Sequence, residues 1–253
     1  MTIKTAVLNG VATIEIARPE KKNAITAAMY LAMADALDAA MADAAVRAVL
    51  ITGQPGIFTS GNDLEDFMRH RGKFEESPGF AFMRALLGCD KPVVAAVTGA
   101  AIGLGTTLLL HCDFVYVSDE ARLAMPFASL GLVPEFASSL VVPQLMGNVR
   151  AAEKLLLGDP FTAAEAVECG IANAVLPAGE VVGHARRVAE RFNALAPGAV
   201  RETKRLLRRA RSAAVLETIA IEGEQFAQRL RSPEAMEAFT AFFEKRAPDF
   251  SKF

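Results

Sequence analysis

Three short, unbroken apolar runs most restrict the folds open to this chain: "RAVLITG" from Arg47, "KPVVAAVTG" from Lys91 and "DFVYVSD" from Asp113. Each reads as a strand buried on both faces, because none shows the alternation of a strand with one wet side. Segments of helical spacing separate them. "TAAMYLAMADALDAAMADA" starts at Thr26, a good N-cap, and "GFAFMRALLGC" and "GTTLLLHC" follow the same rule. Strand and helix alternating at this pace predict an α/β core whose sheets are covered by helices. Ahead of it, "IKTAVLNGVATIEIA" predicts a hairpin turning at Asn9-Gly10, and "RLAM" predicts one more short strand.

From about Asn148 the pattern changes. Apart from a short strand in "ANAVLP", the remainder reads as amphipathic helices: "GEVVGHARRVAERFNAL", "PGAVRETKRLLRRARS", "AVLETIAIEGEQFAQRLR" and "PEAMEAFTAFFEKR", separated by Pro, Gly or Ser. The expected organisation is a core over residues 1–195 and a helical lobe over residues 196–253, joined without a low-complexity linker. A chain of 253 residues suits one large domain or a domain with an appended lobe. No internal repeat is distinct enough to name.

Composition narrows the function classes. A formal net charge of -2 gives no overall pull towards nucleic acid or anionic lipid. Cys89, Cys112 and Cys169 form no CxxC pair and lie in apolar contexts, as reduced core thiols do. His70, His111 and His184 have no ligand spacing, so no metal is expected. No apolar run reaches the roughly 18 residues of a spanning helix, and "MTIKTAVLNG" does not read as a signal peptide. A cytoplasmic location without membrane partner is the expectation, and the closing "SKF" is taken as a chance likeness to a peroxisomal address.

Four stretches carry candidate chemistry. "RPEKKNAI" (18–25) is a charged turn that fits a binding loop or a solvated one. "FTSGNDL" (58–64) is a strand-to-helix turn with a permissive Gly61 and two capping residues, Asn62 and Asp63, so its N–H groups can hold a negative oxygen. "VTGAAIGLGTTLLL" connects a buried strand to an apolar helix through glycines but has neither a GxGxxG nor a phosphate-loop spacing. Two such helix starts converging would make an oxyanion hole of main-chain donors. In "GLVPEFASSL", Glu135 stands among Leu132, Phe136, Ala137 and Leu140, where desolvation would raise its pKa and suit it to proton transfer. A helix-starting glutamate facing solvent fits the same residues.

Together these stretches resemble the crotonase (enoyl-CoA hydratase/isomerase) superfamily along nearly the whole chain, the tail "AFFEKRAPDF" included. The resemblance implies an α/β crotonase (ClpP-like) spiral of ββα units, a C-terminal trimerisation lobe, an acyl-CoA thioester as ligand and a homotrimer or hexamer. It assigns the two oxyanion donors to the N–H groups of Asn62 and Leu104. It implies no separate cofactor, since coenzyme A is part of the substrate. Lys21, Lys22 and Ala24 fall on the family's CoA-contacting loop, Gly61 and Ile25 offer backbone groups to the same ligand, and Lys245 would reach CoA bound to an adjacent subunit.

Departures from the pattern bear on the reaction. The two positions where hydratases carry glutamates correspond to Thr107 and Phe127, neither an acid nor a base. Glu135 instead looks like the single catalytic glutamate of peroxisomal-type Δ3,Δ2-enoyl-CoA isomerases, in a similar "PE..SS" context. The expected activity is that isomerisation, within fatty-acid β-oxidation or related metabolism. A hydratase, hydrolase or lyase of the same fold is the alternative, and a remote one is RNA binding through Arg201, Lys204, Arg205 and Arg208. "MRHRGKFEESPGF" is expected to help line the acyl pocket.

Overall fold

The computed structural model describes residues 2–68 and 74–253, apart from the side chain of Phe67. The chain opens with the expected hairpin, β1 (Ile3–Leu8) paired antiparallel with β2 (Val11–Ile16). Asn9 and Gly10 turn it at φ of 49° and 71°, the left-handed pair that a two-residue turn needs to match strand twist. Helix α1 (Ala27–Ala42) begins where Thr26 accepts a hydrogen bond from the Met29 N–H.

A motif of two strands then recurs. β3 (Ala48–Thr52) and β4 (Gly56–Thr59) precede α2 (Leu64–Phe67) and α3 (Pro78–Gly88). β5 (Val93–Val97) and β6 (Gly99–Ile102) precede α4 (Leu104–Thr107), and β7 (Phe114–Ser118) and β8 (Arg122–Ala124) precede α5 (Ser138–Met146). The remainder is α6 (Asn148–Ala152), β9 (Phe161–Thr162), α7 (Ala163–Glu168), β10 (Ala174–Leu176), α8 (Val181–Glu190), α9 (Pro197–Arg229) and α10 (Pro233–Glu244).

The first strand of each pair enters a six-stranded sheet ordered β1-β2-β3-β5-β7-β10, and the second enters a four-stranded sheet ordered β4-β6-β8-β9. This is the crotonase spiral of ββα units. Among the strand pairs of the described residues, β1–β2 and β8–β9 are antiparallel and the rest parallel. One face of the larger sheet, with Val11, Leu50, Val94 and Ala96, packs on Val181, Ala185 and Val188 of α8. The opposite face joins the main core with α1 and α3.

Three expectations need correction, the first being that the region after about Asn148, read as helical apart from "ANAVLP", also holds strand β9, paired antiparallel with β8. "GAAI", read as part of a glycine-rich connection, is strand β6. Its glycine permits the pairing, because a Cβ on Gly99 would lie 2.0 Å from the Gly56 carbonyl oxygen on β4. The segments expected as two helices divided near Ser212 form one helix, α9, of 33 residues. Ser212 does not break it, because its hydroxyl donates to the Arg208 carbonyl one turn back at 2.7 Å and leaves the ladder intact.

Helix α9 is locked onto the core. The buried Lys204 ammonium donates to the Lys91 carbonyl and pairs with Asp113, each at 2.6 Å. Arg208 reaches Asp113 at 3.0 Å and the His111 carbonyl at 2.7 Å. Arg201 pairs with Asp90 and Arg205 with Glu202. Lys204 and Arg208 are thus engaged within the molecule, while the Arg201 and Arg205 side chains stay 37% and 75% exposed.

Candidate active site

The loop of residues 18–25 is bolted to the turn at residues 60–63. Buried Asn23 accepts from the Arg18 N–H at 2.7 Å and donates to the Phe58 carbonyl at 3.0 Å, while the Thr59 hydroxyl donates to the Asn23 carbonyl at 2.7 Å. Ile25 and the turn exchange backbone bonds, Ile25 N–H to Gly61 C=O and Asp63 N–H to Ile25 C=O, at 2.8 and 2.9 Å. Asp63 caps α2 through the Asp66 N–H and pairs with Arg18 at 2.7 Å. Desolvation would raise the Asp63 pKa, but the Arg18 guanidinium and the cap bond hold it below the ordinary value.

The turn lies against the start of α4 without intervening side chains. A Cβ on Gly61, whose φ is +88°, would sit 2.8 Å from the Ile102 carbonyl oxygen, and one on Gly105 would sit 2.6 Å from the Thr59 methyl. Only glycine admits that approach. Asn62 follows Gly61, and Leu104 is the first residue of α4. Among the described residues neither of their N–H groups has an acceptor in the protein. Leu104 has no intrahelical partner because a helix leaves its first N–H groups orphaned.

Glu135 stands three residues before α5, not within the helix it was expected to start. Phe136 and Ala137 adopt φ of 58° and 57°, an uncommon left-handed pair for residues with side chains. Bonds from all sides hold this turn. The Ser138 hydroxyl donates to the Glu135 carbonyl at 2.7 Å. His111, stacked on the Phe136 ring, meets the Phe136 carbonyl at 2.7 Å through Nε2. Burial depresses the His111 pKa to about 3, so the ring is neutral and, facing a carbonyl, Nε2 carries the hydrogen. Ala137 cannot cap α5, and the Glu222 carboxylate from α9 does so, accepting from the N–H groups of Ala137 and Ser139 at 2.6 and 2.9 Å and from the Ser139 hydroxyl at 2.5 Å.

The Glu135 side chain is 6% exposed, and its Oε1 has no hydrogen-bond partner. Burial first, and the Glu222 charge second, push its pKa from 4.5 to about 8. It borders a cavity of about 100 Å³ that Ile25, Tyr30 and Asn62 also line. The Tyr30 hydroxyl donates to the Asn62 side-chain oxygen. Burial, then the Glu135 charge, raises the Tyr30 pKa well above its ordinary value, so the phenol stays a donor. Phe74, Met83, Phe226 and Leu230 supply apolar wall, with Asp66 and Arg231 also in the lining.

Of the residues singled out from sequence, Glu135, Asn62 and Ile25 share this cavity, and Gly61 and Leu104 lie on the two backbones that meet beside it. Lys21, Lys22 and Ala24 sit on the bolted loop, both lysines exposed and Lys22 at φ 51°. Lys245, the exposed C-cap of α10, is not brought to the cavity. From "MRHRGKFEESPGF", Phe74, Ser77, Pro78 and Gly79 line it, and residues 69–73, His70 among them, fall outside the described residues. Sequence reasoning missed Tyr30, Glu222 and Phe226, whose proximity is created only by folding.

The enoyl-CoA hydratase/isomerase family profile matches residues 7–252. The chain belongs to that family. The structure of an enoyl-CoA hydratase/isomerase from Pseudoalteromonas atlantica T6c superposes with a TM-score of 0.94 at 41% identity, covering 99% of this chain and 100% of that one. Similar sequences carry both kinds of name. Enoyl-CoA delta isomerase 3, peroxisomal, of Mus musculus is 32% identical over 94% of this chain and 77% of its own length. A probable enoyl-CoA hydratase of Bacillus subtilis (strain 168) is 29% identical over 98% of each chain. Thr107 is buried with its hydroxyl directed at the Leu104 carbonyl, and Phe127 is buried.

Proposed function

We propose that this enzyme is a Δ3,Δ2-enoyl-CoA isomerase in which Glu135 carries the proton. The observation that carries this reading is the Glu135 carboxylate, the only buried and unpartnered one among the described residues that line the apolar cavity, beside two orphaned N–H groups. In its ionised form Glu135 takes a proton from C2 of a 3-enoyl thioester, and the electron pair spreads into a dienolate whose oxygen accepts from Asn62 N–H and Leu104 N–H. The protonated Glu135 then delivers the same proton to C4, giving the conjugated 2-enoyl thioester. Nothing is consumed, so one acid–base group suffices. A carboxyl tuned near neutrality both takes and returns a proton readily. Each main-chain donor aimed at the developing oxyanion contributes roughly 3 kcal/mol to barrier lowering.

Hydration asks for a second group to handle water. Thr107 and Phe127 cannot serve, and the other carboxylate in the lining, Asp66, has one oxygen held by the Ala27 N–H at 2.6 Å. CoA would lie along the loop carrying Lys21, Lys22 and Ala24, with the lysines meeting its phosphates as point charges, and Lys245 would serve CoA held by a neighbouring copy. Exposed apolar side chains at Val149, Leu156 and Leu157, 84%, 72% and 68% exposed, support assembly into a homotrimer or hexamer. The deciding assay compares 3-hexenoyl-CoA with crotonyl-CoA. Formation of the conjugated thioester from the first is expected, and loss of conjugation from the second with no change in the first would refute the proposal.

A further inference from the structure

Among the described residues two glutamates are buried, Glu135 and Glu222, and the proposed reaction uses only the first. Glu222 belongs to α9, 85 residues from the Ala137 N–H it caps. All its partners are donors: two N–H groups of the Glu135 turn and the Ser139 hydroxyl. Burial raises the Glu222 pKa above its ordinary value, and the Ser139 hydroxyl and the Ser139 and Ala137 N–H groups, with the helix N-terminus, oppose it by favouring the ionised form. The turn it binds contains the left-handed Phe136 and Ala137, a conformation that persists only where its surroundings over-determine it.

We propose that Glu222 is a positioning residue, which clamps the Phe136–Ala137 turn from α9 and so fixes where the Glu135 carboxylate points. This inference rests on Glu135 being the proton carrier. The clamp also couples the helical C-terminal region to the site, because Phe226, one turn further along α9, is part of the cavity wall. A second consequence is electrostatic. Glu222 sets a like charge behind Glu135 and favours its protonated form. Among the described residues, the other charged or titratable groups in the lining of the Glu135 cavity are Tyr30 from α1, Asp66 from α2 and Arg231 beyond α9, with neutral His111 beneath Phe136.

Glu222→Gln in the full chain keeps the shape, removes the charge and turns an amide N–H₂ towards a donor. Two readings test it: steady-state kinetics with 3-hexenoyl-CoA, and the midpoint of the Glu135 carboxyl followed by carbon-13 NMR, assigned by its loss in Glu135→Gln. The expected result is a fall in kcat of about 100-fold, as misplacement of a reacting group by about 1 Å produces, with KM nearly unchanged. The Glu135 midpoint should move down by about one pH unit. An undiminished kcat with an unmoved midpoint would overturn the inference. A wild-type protein inert towards 3-hexenoyl-CoA, with the midpoint still shifting in Glu222→Gln, would remove the proposed reaction and leave Glu222 as the holder of Glu135. If circular dichroism showed Glu222→Gln unfolded, Glu222→Asp decides. It keeps the charge but withdraws it by one methylene, so kcat should fall with the midpoint in place, and full kcat would overturn the inference.

Discussion

Replacing Glu135 by Gln should make the protein's stability less dependent on pH, by an amount that follows from burial. In the folded chain the carboxyl titrates at about 8 against an ordinary 4.5. Each unit corresponds to about 1.4 kcal/mol, so ionising the folded form costs up to about 5 kcal/mol that the unfolded chain does not bear. The sign follows from the raised value: folding takes up a proton, so the contribution is neutral below about pH 4.5, and stability is lost as pH rises towards about 8. Gln never ionises, and any cost of its buried amide is independent of pH. The difference in melting temperature, variant minus wild type, should therefore climb between about pH 4.5 and about pH 8, by up to about 10–20 °C at the roughly 2–4 °C per kcal/mol typical of a chain this size. Differential scanning calorimetry across that range reads it directly. A difference that stays flat would show Glu135 titrating as an ordinary carboxylate and refute the desolvation on which its role as a base depends.

Three further outcomes test the scaffold. Gly61→Ala forces a side chain into positive φ and against the Ile102 carbonyl, so it should destabilise the fold by about 1–3 kcal/mol in urea titration and part the two oxyanion backbones, with kcat falling more than KM rises. Tyr30→Phe removes the donor that orients the Asn62 side chain, a loss of roughly 1 kcal/mol that should appear as a several-fold drop in kcat. Lys204→Ala leaves Asp113 beneath α9 with only Arg208 and the Val93 N–H, and should cost about 3 kcal/mol of stability in the same titration while leaving the wild-type pH profile in place.

The sheet core was readable because β3, β5 and β7 are continuous apolar runs, and Asn9-Gly10 fixed the hairpin by its backbone demands. The second strand of each ββα unit was harder to read. β8, with three residues, was legible only as the short run "RLAM", and β6, with four, begins on a glycine that sequence rules assign to a turn. In the site, Glu135, Asn62 and the glycines could be singled out because charge in an apolar setting and permissive backbone leave local marks. Glu222 and Tyr30 leave none. Glu222 is one of several glutamates on a long amphipathic helix, and only its distance from water and its place above Ala137 distinguish it. The unbroken α9 was missed for a different reason, since Ser212 weakens a helix in general but here bonds to its own preceding turn.

The most direct test is the rate at which 3-hexenoyl-CoA becomes the conjugated 2-enoyl thioester, measured for the wild-type protein and for Glu135→Gln with acyl-CoA binding followed in parallel. Rapid conversion by the wild type is expected, with a collapse of turnover in Glu135→Gln and binding preserved. Sustained turnover in Glu135→Gln would contradict it.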